Sequence, residues 1–149
     1  MRQNRGFSVI ELLIAILLIG ILIAILTPSM TDAMARKRLE GIANELSTDL
    51  QYSKSQAVST NTPVSLITSS HGYRIENAAS VFKTITLDTK VGLTAPLTIS
   101  FEPYRDFSST AAVTVTHTQT PAQLVVKVDP MGRIQMCSPN GSLVGYPAC

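Results

Sequence analysis

The sequence predicts an α+β fold in which one long N-terminal helix packs on a C-terminal antiparallel β-sheet. Three observations predict it. Residues 12–26 form an unbroken run of apolar residues and glycine. Residues 30–60 carry apolar side chains at three- and four-residue steps, which is typical of an amphipathic helix. From Pro63 onward, short runs rich in Val, Ile and Thr alternate with turn residues, which is typical of strands.

The composition excludes several classes of protein. With 149 residues, the chain has room for one globular domain. A hydrophobic content of 45% excludes a disordered chain. The 12 basic and 10 acidic residues give a net charge of only +2, so bulk charge does not indicate a nucleic-acid-binding protein. Two cysteines are too few for a disulfide-rich scaffold or a four-cysteine zinc site.

The first half of the predicted helix has the length of a membrane span. About 20 helical residues reach roughly 30 Å, which is the thickness of a bilayer core. A buried core helix is the alternative, but the rest of the chain is too short to surround one. Arg2 and Arg5 precede the segment and keep that end in the cytoplasm. No small-residue cleavage pattern follows it, so we expect the segment to remain in the working protein.

Glu11 is the single charge inside this apolar stretch. A carboxylate in an apolar helix costs about 2.5 to 3.5 kcal/mol at the centre of the membrane and less near the end. Such a cost suggests that Glu11 has a partner. The alternative is that Glu11 lies at the level of the lipid headgroups and is solvated.

Residues 6–13 read GFSVIELL and resemble the prepilin motif of type IV pilins and type II secretion pseudopilins. The resemblance implies that a membrane prepilin peptidase cuts between Gly6 and Phe7 and that the new amine of Phe7 is methylated. In that family the glutamate pairs with the N-terminal amine of a neighbouring subunit, which would give Glu11 its partner. Removing the leader takes away Arg2 and Arg5 and leaves 10 basic and 10 acidic side chains.

We expect the helix to run from about Ser8 to Ser59 and to bend near Pro28, because proline lacks an N–H and clashes with the preceding turn. Residues 61–63, Asn-Thr-Pro, would end it. The expected buried stripe is Leu39, Ile42, Ala43, Leu46, Leu50, Ala57 and Val58. The polar residues expected mostly off that stripe are Glu40, Glu45, Asp49, Gln51 and Lys54.

Seven strands are predicted in the second half of the chain, and no motif within residues 69–123 can be placed. Residues 129–132, Asp-Pro-Met-Gly, fit a turn between two antiparallel strands, since Pro sets φ at the second position and Gly suits the fourth. The predicted strands are Val64–Thr68, Tyr73–Glu76, Val81–Leu87, Leu97–Phe101, Ala112–His117, Leu124–Asp129 and Arg133–Cys137.

Residues 38–66, together with the turn at 129–133, are similar to GspH/FimT-type minor pilins. The resemblance implies a structural subunit of a type IV pilus or a type II secretion pseudopilus, with other pilins as partners. It implies a leader at 1–6, a transmembrane and filament-core helix at 7–29, and a periplasmic globular domain at 30–149. The protein would lie in the inner membrane with a single span and would also be found in the filament. The sequence does not distinguish a subunit of a type IV pilus from a subunit of a type II secretion pseudopilus.

An enzyme is not predicted. The two histidines, His71 and His117, are isolated in sequence from cysteines and paired acids. The chain has no glycine-rich phosphate loop, no H-E-x-x-H and no nucleophile motif. We therefore predict neither a cofactor nor a metal.

Cys137 and Cys149 enclose a loop too rich in Pro and Gly for regular structure. If the sheet domain lies outside the inner membrane, the thiols meet oxidising conditions and pair. Free thiols are the alternative. C-terminal disulfide loops recur among type IV pilins, so the resemblance also implies the bond.

Two alternative functions remain open at this stage. Some FimT-type pilins bind DNA for natural transformation through a late Gly-Arg-x-Arg motif, and residues 132–135 here read Gly-Arg-Ile-Gln. Arg133 matches the first cation, and Lys127 across the hairpin is a candidate substitute for the second. The other alternative is an inner-membrane sensor with no role in a filament, which would keep its leader.

Overall fold

The computed structural model describes residues 7–94, 97–104, 110–139, 141 and 143–149, without the side chains of residues 26–29. The described chain falls into two compact units, one that ends at Met34 and one that runs from Ala35 to Cys149. Its elements in chain order are α1 (Val9–Thr60), β1 (Val64–Ser69), β2 (Gly72–Glu76), β3 (Val81–Thr86), β4 (Val91–Leu93), β5 (Thr98–Phe101), β6 (Ala111–His117), β7 (Thr120–Val128) and β8 (Ile134–Cys137).

The long helix is confirmed to within one residue at each end. Pro28 lies inside α1, and the helix continues through it. A bend at Pro28 stays a prediction. The helix ends before Asn61, whose φ of 52° is left-handed. Asparagine tolerates this conformation, which turns the chain away from the helix axis.

The strands are antiparallel as expected, but they form two sheets. One has the order β3-β2-β1-β5 and the other the order β4-β6-β7-β8. The prediction omitted β4, which has only three residues including Gly92 and so is too short for an alternating pattern. The chain enters the second sheet at β4, returns to the first at β5 and then stays in the second. The sequence pattern does not specify this exchange, since each strand alternates in the same way.

The core lies between the helix and the two sheets. The predicted alternation in the strands is confirmed, because the inward positions are at most 2% exposed: Ile99, Phe101, Val113, Val115, Val126 and Val128. The buried apolar residues of the helix, here called the apolar stripe, are Ala35, Leu39, Ala43, Leu46, Leu50 and Ala57.

Two helix positions differ from the prediction. Val58 was expected on the buried stripe, but its side chain is 58% exposed. At 100° per residue it lies well to one side of the stripe. Asp49 was expected mostly off the stripe, but it is only 6% exposed. It lies on the opposite flank of the stripe, next to Ile42, and that flank faces β3.

The turn at residues 129–132 joins β7 to β8 as predicted. The Gly132 N–H donates to the Asp129 carbonyl oxygen at 2.7 Å, and the Asp129 N–H donates to the Arg133 carbonyl oxygen at 3.0 Å. Gly132 has a φ of 68°, which a residue with a Cβ rarely adopts. The glycine is therefore required by the geometry of this hairpin.

Candidate functional site

The apolar first part of α1 is exposed along its described length. An 18-residue window of the helix has a mean hydropathy of 3.2, and none of it is buried. Its length and composition suit a membrane span. Such a surface is not stable in water, so lipid or other apolar helices must cover it. Phe7 just before the helix and the large side chains of this part of the helix are each more than half exposed: Phe7, Val9, Ile10, Leu12, Leu13, Ile14, Ile16, Leu17, Leu18, Ile19, Ile21, Leu22, Ile23 and Ile25.

Glu11 lies in the first turn of α1 with its side chain exposed. The positive end of the helix dipole favours an acid at this position. No cation within the described residues pairs with the Glu11 carboxylate. Phe7, which precedes the helix, is 79% exposed. Gly6, the predicted cleavage residue, lies outside the described residues.

A polar cluster that the sequence analysis missed joins the helix to the first sheet. We call it the Asp49 cluster; it consists of Asp49, Tyr73, Lys83 and Glu45. The Tyr73 hydroxyl donates to Asp49 Oδ2 at 2.7 Å. Lys83 Nζ donates to both oxygens of Asp49, at 2.9 and 2.8 Å. Lys83 Nζ also lies 3.5 Å from Glu45 Oε1.

The surroundings of Tyr73 and Lys83 in the Asp49 cluster raise the pKa values of both groups. Burial, and then the hydrogen bond to Asp49, raise the pKa of Tyr73 well above its usual range. The hydrogen bond to Asp49 is the largest cause that raises the pKa of Lys83, and partial burial opposes it. A raised pKa in the folded state means that the contribution of Lys83 to stability is lost only as pH rises through that alkaline pKa. At neutral pH, Tyr73 is therefore a donor and Lys83 is charged.

Cys137 and Cys149 form a disulfide, with their Cα atoms 5.0 Å apart. The enclosed loop packs against the second sheet. Leu143 is 4% exposed and belongs to the core, and the Ser138 hydroxyl donates to the Gln123 carbonyl oxygen at 3.2 Å. The bond therefore holds a packed segment and not a free tail.

Replacing both Cys137 and Cys149 by serine is expected to lower the free energy of unfolding by about 3 kcal/mol, because a closed loop of this length restricts the unfolded chain. Urea unfolding of the full chain in detergent micelles measures the change. The wild-type chain under reducing conditions is the control and should show the same loss. An unchanged unfolding midpoint in both samples would contradict the expectation.

The two candidate DNA-binding cations each lie beside an oxygen acceptor. Arg133 Nη2 is 3.3 Å from Asp129 Oδ2. Lys127 Nζ is 3.4 Å from the Cys149 carbonyl oxygen. Lys127 pairs in register with Gln135, the residue that replaces the second arginine of the motif. Arg133 thus has an acid beside it, and the DNA-binding alternative is not favoured.

The two histidines lie in different elements. His117 is 5% exposed at the end of β6, and its Nδ1 accepts a hydrogen bond from the Gln119 N–H at 3.2 Å. His71 lies exposed in the turn between β1 and β2. Within the described residues, no three His, Cys, Asp or Glu side chains are grouped so that they could hold a metal ion.

Comparison with known proteins finds two family models that match this chain. The model described as type II transport protein GspH matches residues 43–143. The model described as the prokaryotic N-terminal methylation motif matches residues 1–27. Among curated proteins, none is similar enough in sequence to be matched.

A solved structure has the same fold. The crystal structure of the type IV minor pilin FimU of Pseudomonas aeruginosa (strain PAO1) is similar, with a TM-score of 0.57 and 20% sequence identity. The similarity covers 68% of this chain and 89% of that one. It supports the fold of a long helix on antiparallel sheets.

Proposed function

Because this chain belongs to the family of type II transport protein GspH and carries the N-terminal methylation motif, we propose that it works as an assembled subunit held by its first helical segment. It is a minor pilin or pseudopilin, a structural subunit that other pilins or pseudopilins surround. Prepilin peptidase is the processing enzyme that the motif implies. The pilus and the secretion pseudopilus both remain open as the assembly in which it acts.

The observation that carries the proposal is the contrast between the two ends of α1. From Ala35 onward the helix buries an apolar stripe against the sheets. Before Met34 the large apolar side chains that the structure describes are uncovered. We propose that lipid covers this surface before assembly and that helices of other subunits cover it in the filament. The segment is long enough for either environment.

The same segment is proposed to anchor the protein in the inner membrane. Arg2 and Arg5 would remain on the cytoplasmic side before processing. The disulfide between Cys137 and Cys149 supports a sheet domain on the periplasmic side, because such bonds persist in oxidising compartments.

Processing gives a direct test. Mass spectrometry of the protein from cells that have prepilin peptidase is expected to find a chain that begins at Phe7 and carries one extra methyl group at its amine. In cells without the peptidase, residues 1–6 should be retained. Retention of the leader in both strains would contradict the proposal and would favour the membrane-sensor alternative.

A further inference from the structure

The edge strands of the two sheets differ in how much of their backbone is already paired. They are β3 and β5 in the first sheet and β4 and β8 in the second. In β4 the Leu93 N–H donates to the Ser70 carbonyl oxygen at 3.1 Å, and directly after β8 Ser138 pairs with Ala148. β3 has six residues and is longer than the other three edge strands. Among the described strands, β3 therefore offers the longest free edge.

Thr84 and Thr86 direct their backbone groups away from the first sheet. The Leu87 N–H, directly after β3, donates to the carbonyl oxygen of His71 at 2.9 Å. Hydrogen-bonded and non-hydrogen-bonded pairs alternate in an antiparallel ladder, so the N–H and C=O groups of Thr84 and Thr86 point outward. No backbone group of the described residues bonds to them there. Such a row of free groups can pair with an added strand.

The features that normally protect an edge strand do not act on this half of β3. A lysine often protects such an edge, but the Lys83 ammonium is bound by Asp49 on the helix, at 2.9 and 2.8 Å. The bulge in the ladder lies at the other end of the strand, opposite Val81. The half of β3 that contains Thr84 and Thr86 therefore keeps a regular edge.

A groove of about 490 Å³ lies between this half of β3 and α1. We call it the α1–β3 groove; its apolar walls are Ile42 on the helix, Ile85 on β3 and the following Leu87. These three side chains pack on the core but are only partly buried. Gly41 keeps the helix side open, because a Cβ there would meet no neighbouring atom within 4 Å. Since side chains alternate along a strand, every second side chain of a strand added to β3 would lie beside Ile85 in this groove.

The charges around the α1–β3 groove indicate the charge of its occupant. At one end Arg38 and Asp88 neutralise each other, 3.5 Å apart. At the other end the Lys83 ammonium lies 3.5 Å from Glu45 and 2.8 Å from Asp49. Two carboxylates share one ammonium there, and the Glu45 side chain is 46% exposed. This end of the groove therefore favours a cation on the occupant.

We propose that the α1–β3 groove binds an extended segment of a partner subunit, which adds to the free edge of β3 as a further strand. The segment has apolar side chains at alternate positions, which cover Ile42 and Ile85, and a Lys or Arg that pairs with Glu45. Main-chain hydrogen bonds supply affinity, and the alternate side chains supply specificity. That the segment belongs to a pilin or pseudopilin rests on the proposed function, whereas the groove is a property of the folded chain.

Binding is tested with the full chain in detergent micelles and a synthetic peptide, acetyl-Thr-Val-Thr-Val-Thr-Lys-amide, at millimolar concentration. By NMR, hydrogen exchange at the Thr84 and Thr86 amides is expected to slow at least about tenfold. Exchange at Thr98 and Ser100, on the other edge of the sheet, should not change. Unchanged exchange at Thr84 and Thr86 would overturn the proposal.

A second peptide tests the charge. With glutamate in place of its lysine, the peptide is expected to bind at least about tenfold more weakly, because it brings a third acid to Glu45 and Asp49. The variant Glu45→Gln should reduce this difference. Equal binding of the two peptides to the parent chain would contradict the pairing with Glu45.

Use of the groove by a partner is tested in host cells with Thr86→Pro, which removes an outward N–H of β3. Proline is tolerated on an edge strand when the lost N–H faces outward. The variant is expected to lower the amount in filaments, relative to that in the membrane, at least about tenfold. The matched control is Thr98→Pro on β5, the other edge strand of the same sheet, which should equal the parent. Parent-like incorporation of Thr86→Pro, or an equal loss in both variants, would overturn the proposal.

Gly41→Leu keeps the proposal testable if Thr86→Pro does not fold. Leucine is a better helix former than glycine, and its side chain would enter the α1–β3 groove. Peptide binding and incorporation should both fall, whereas Asn44→Leu, at an exposed helix position outside the groove lining, should match the parent. Parent-like binding by Gly41→Leu would overturn the proposal. If the parent itself is absent from filaments, the proposed function fails, and the peptide still reports whether the groove binds a strand.

Discussion

Replacing Asp49 by alanine is expected to lower the free energy of unfolding by about 2 to 3 kcal/mol. The substitution leaves the buried Tyr73 hydroxyl without its acceptor. It also removes a charged hydrogen bond from Lys83, whose contribution is reduced by solvent because the side chain is 37% exposed. Urea unfolding of the full chain in detergent micelles, followed by circular dichroism of the sheets, measures the loss.

Two variants separate the causes of this loss. Glu45→Ala removes the other acid near Lys83, but the Glu45 side chain is 46% exposed, so a loss below about 1 kcal/mol is expected. Tyr73→Phe added to Asp49→Ala removes the unsatisfied hydroxyl and should recover part of the stability. If Asp49→Ala and Glu45→Ala lowered the free energy of unfolding equally, burial of the Asp49 carboxylate would not be the cause of the loss.

The sequence predicts the elements of this fold well, because each has a local cause. The helix follows from an apolar run and a stripe at helical spacing, and it ends where Asn61 adopts a left-handed φ of 52°. The β7–β8 hairpin follows from a four-residue turn in which Gly132 is required. Each of these signals is contained in neighbouring residues of the chain, so each can be recognised without the tertiary structure.

The sequence does not predict how these elements pair over long distances. The partners of Asp49 lie 24 and 34 residues later in the chain, on strands whose register is set by the whole sheet. Nothing near Asp49 marks it as buried. In a helical projection it lies at the margin of the stripe, where polar residues are usually exposed. The separation into two sheets was missed for the same reason, because strand order is not encoded in alternation.

Local sequence patterns likewise identify one part of the candidate functional site and not the other. The apolar segment and its acid could be identified from residues 6–26 alone, since membrane spans and the methylation motif are local patterns. The DNA-binding hypothesis also came from a local pattern, at residues 132–135. The structure shows Arg133 beside Asp129 instead. A cationic motif needs free charge around it, and only the tertiary structure shows which oxygens lie next to each cation.

Replacing Glu11 by alanine is expected to have the largest functional effect. If its carboxylate pairs with the Phe7 amine of the next subunit, the substitution leaves a buried ammonium without a partner. Breaking such a pair costs about 3 to 5 kcal/mol. Since each 1.4 kcal/mol changes an equilibrium about tenfold, incorporation should fall at least about 100-fold. The sheets are in a separate compact unit, so their stability should not change.

The matched control is Glu40→Ala. Glu40 is also an acid on α1, but it pairs with Lys37 of the same helix at 3.1 Å and is not proposed to contact another subunit. Its removal should leave both the amount of protein in the membrane and the amount in filaments unchanged. The comparison therefore separates a general effect of losing an acid from loss of the proposed contact.

The pairing of Glu11 with the next subunit is tested most directly by the amount of this subunit in purified filaments relative to its amount in the membrane. Quantitative immunoblots of the host cells measure this ratio. For Glu11→Ala we predict a fall of at least about 100-fold in that ratio, with membrane abundance at the level of the parent and of Glu40→Ala. A ratio equal to that of the parent would mean that the subunit joins filaments without this charge, and would contradict the central claim.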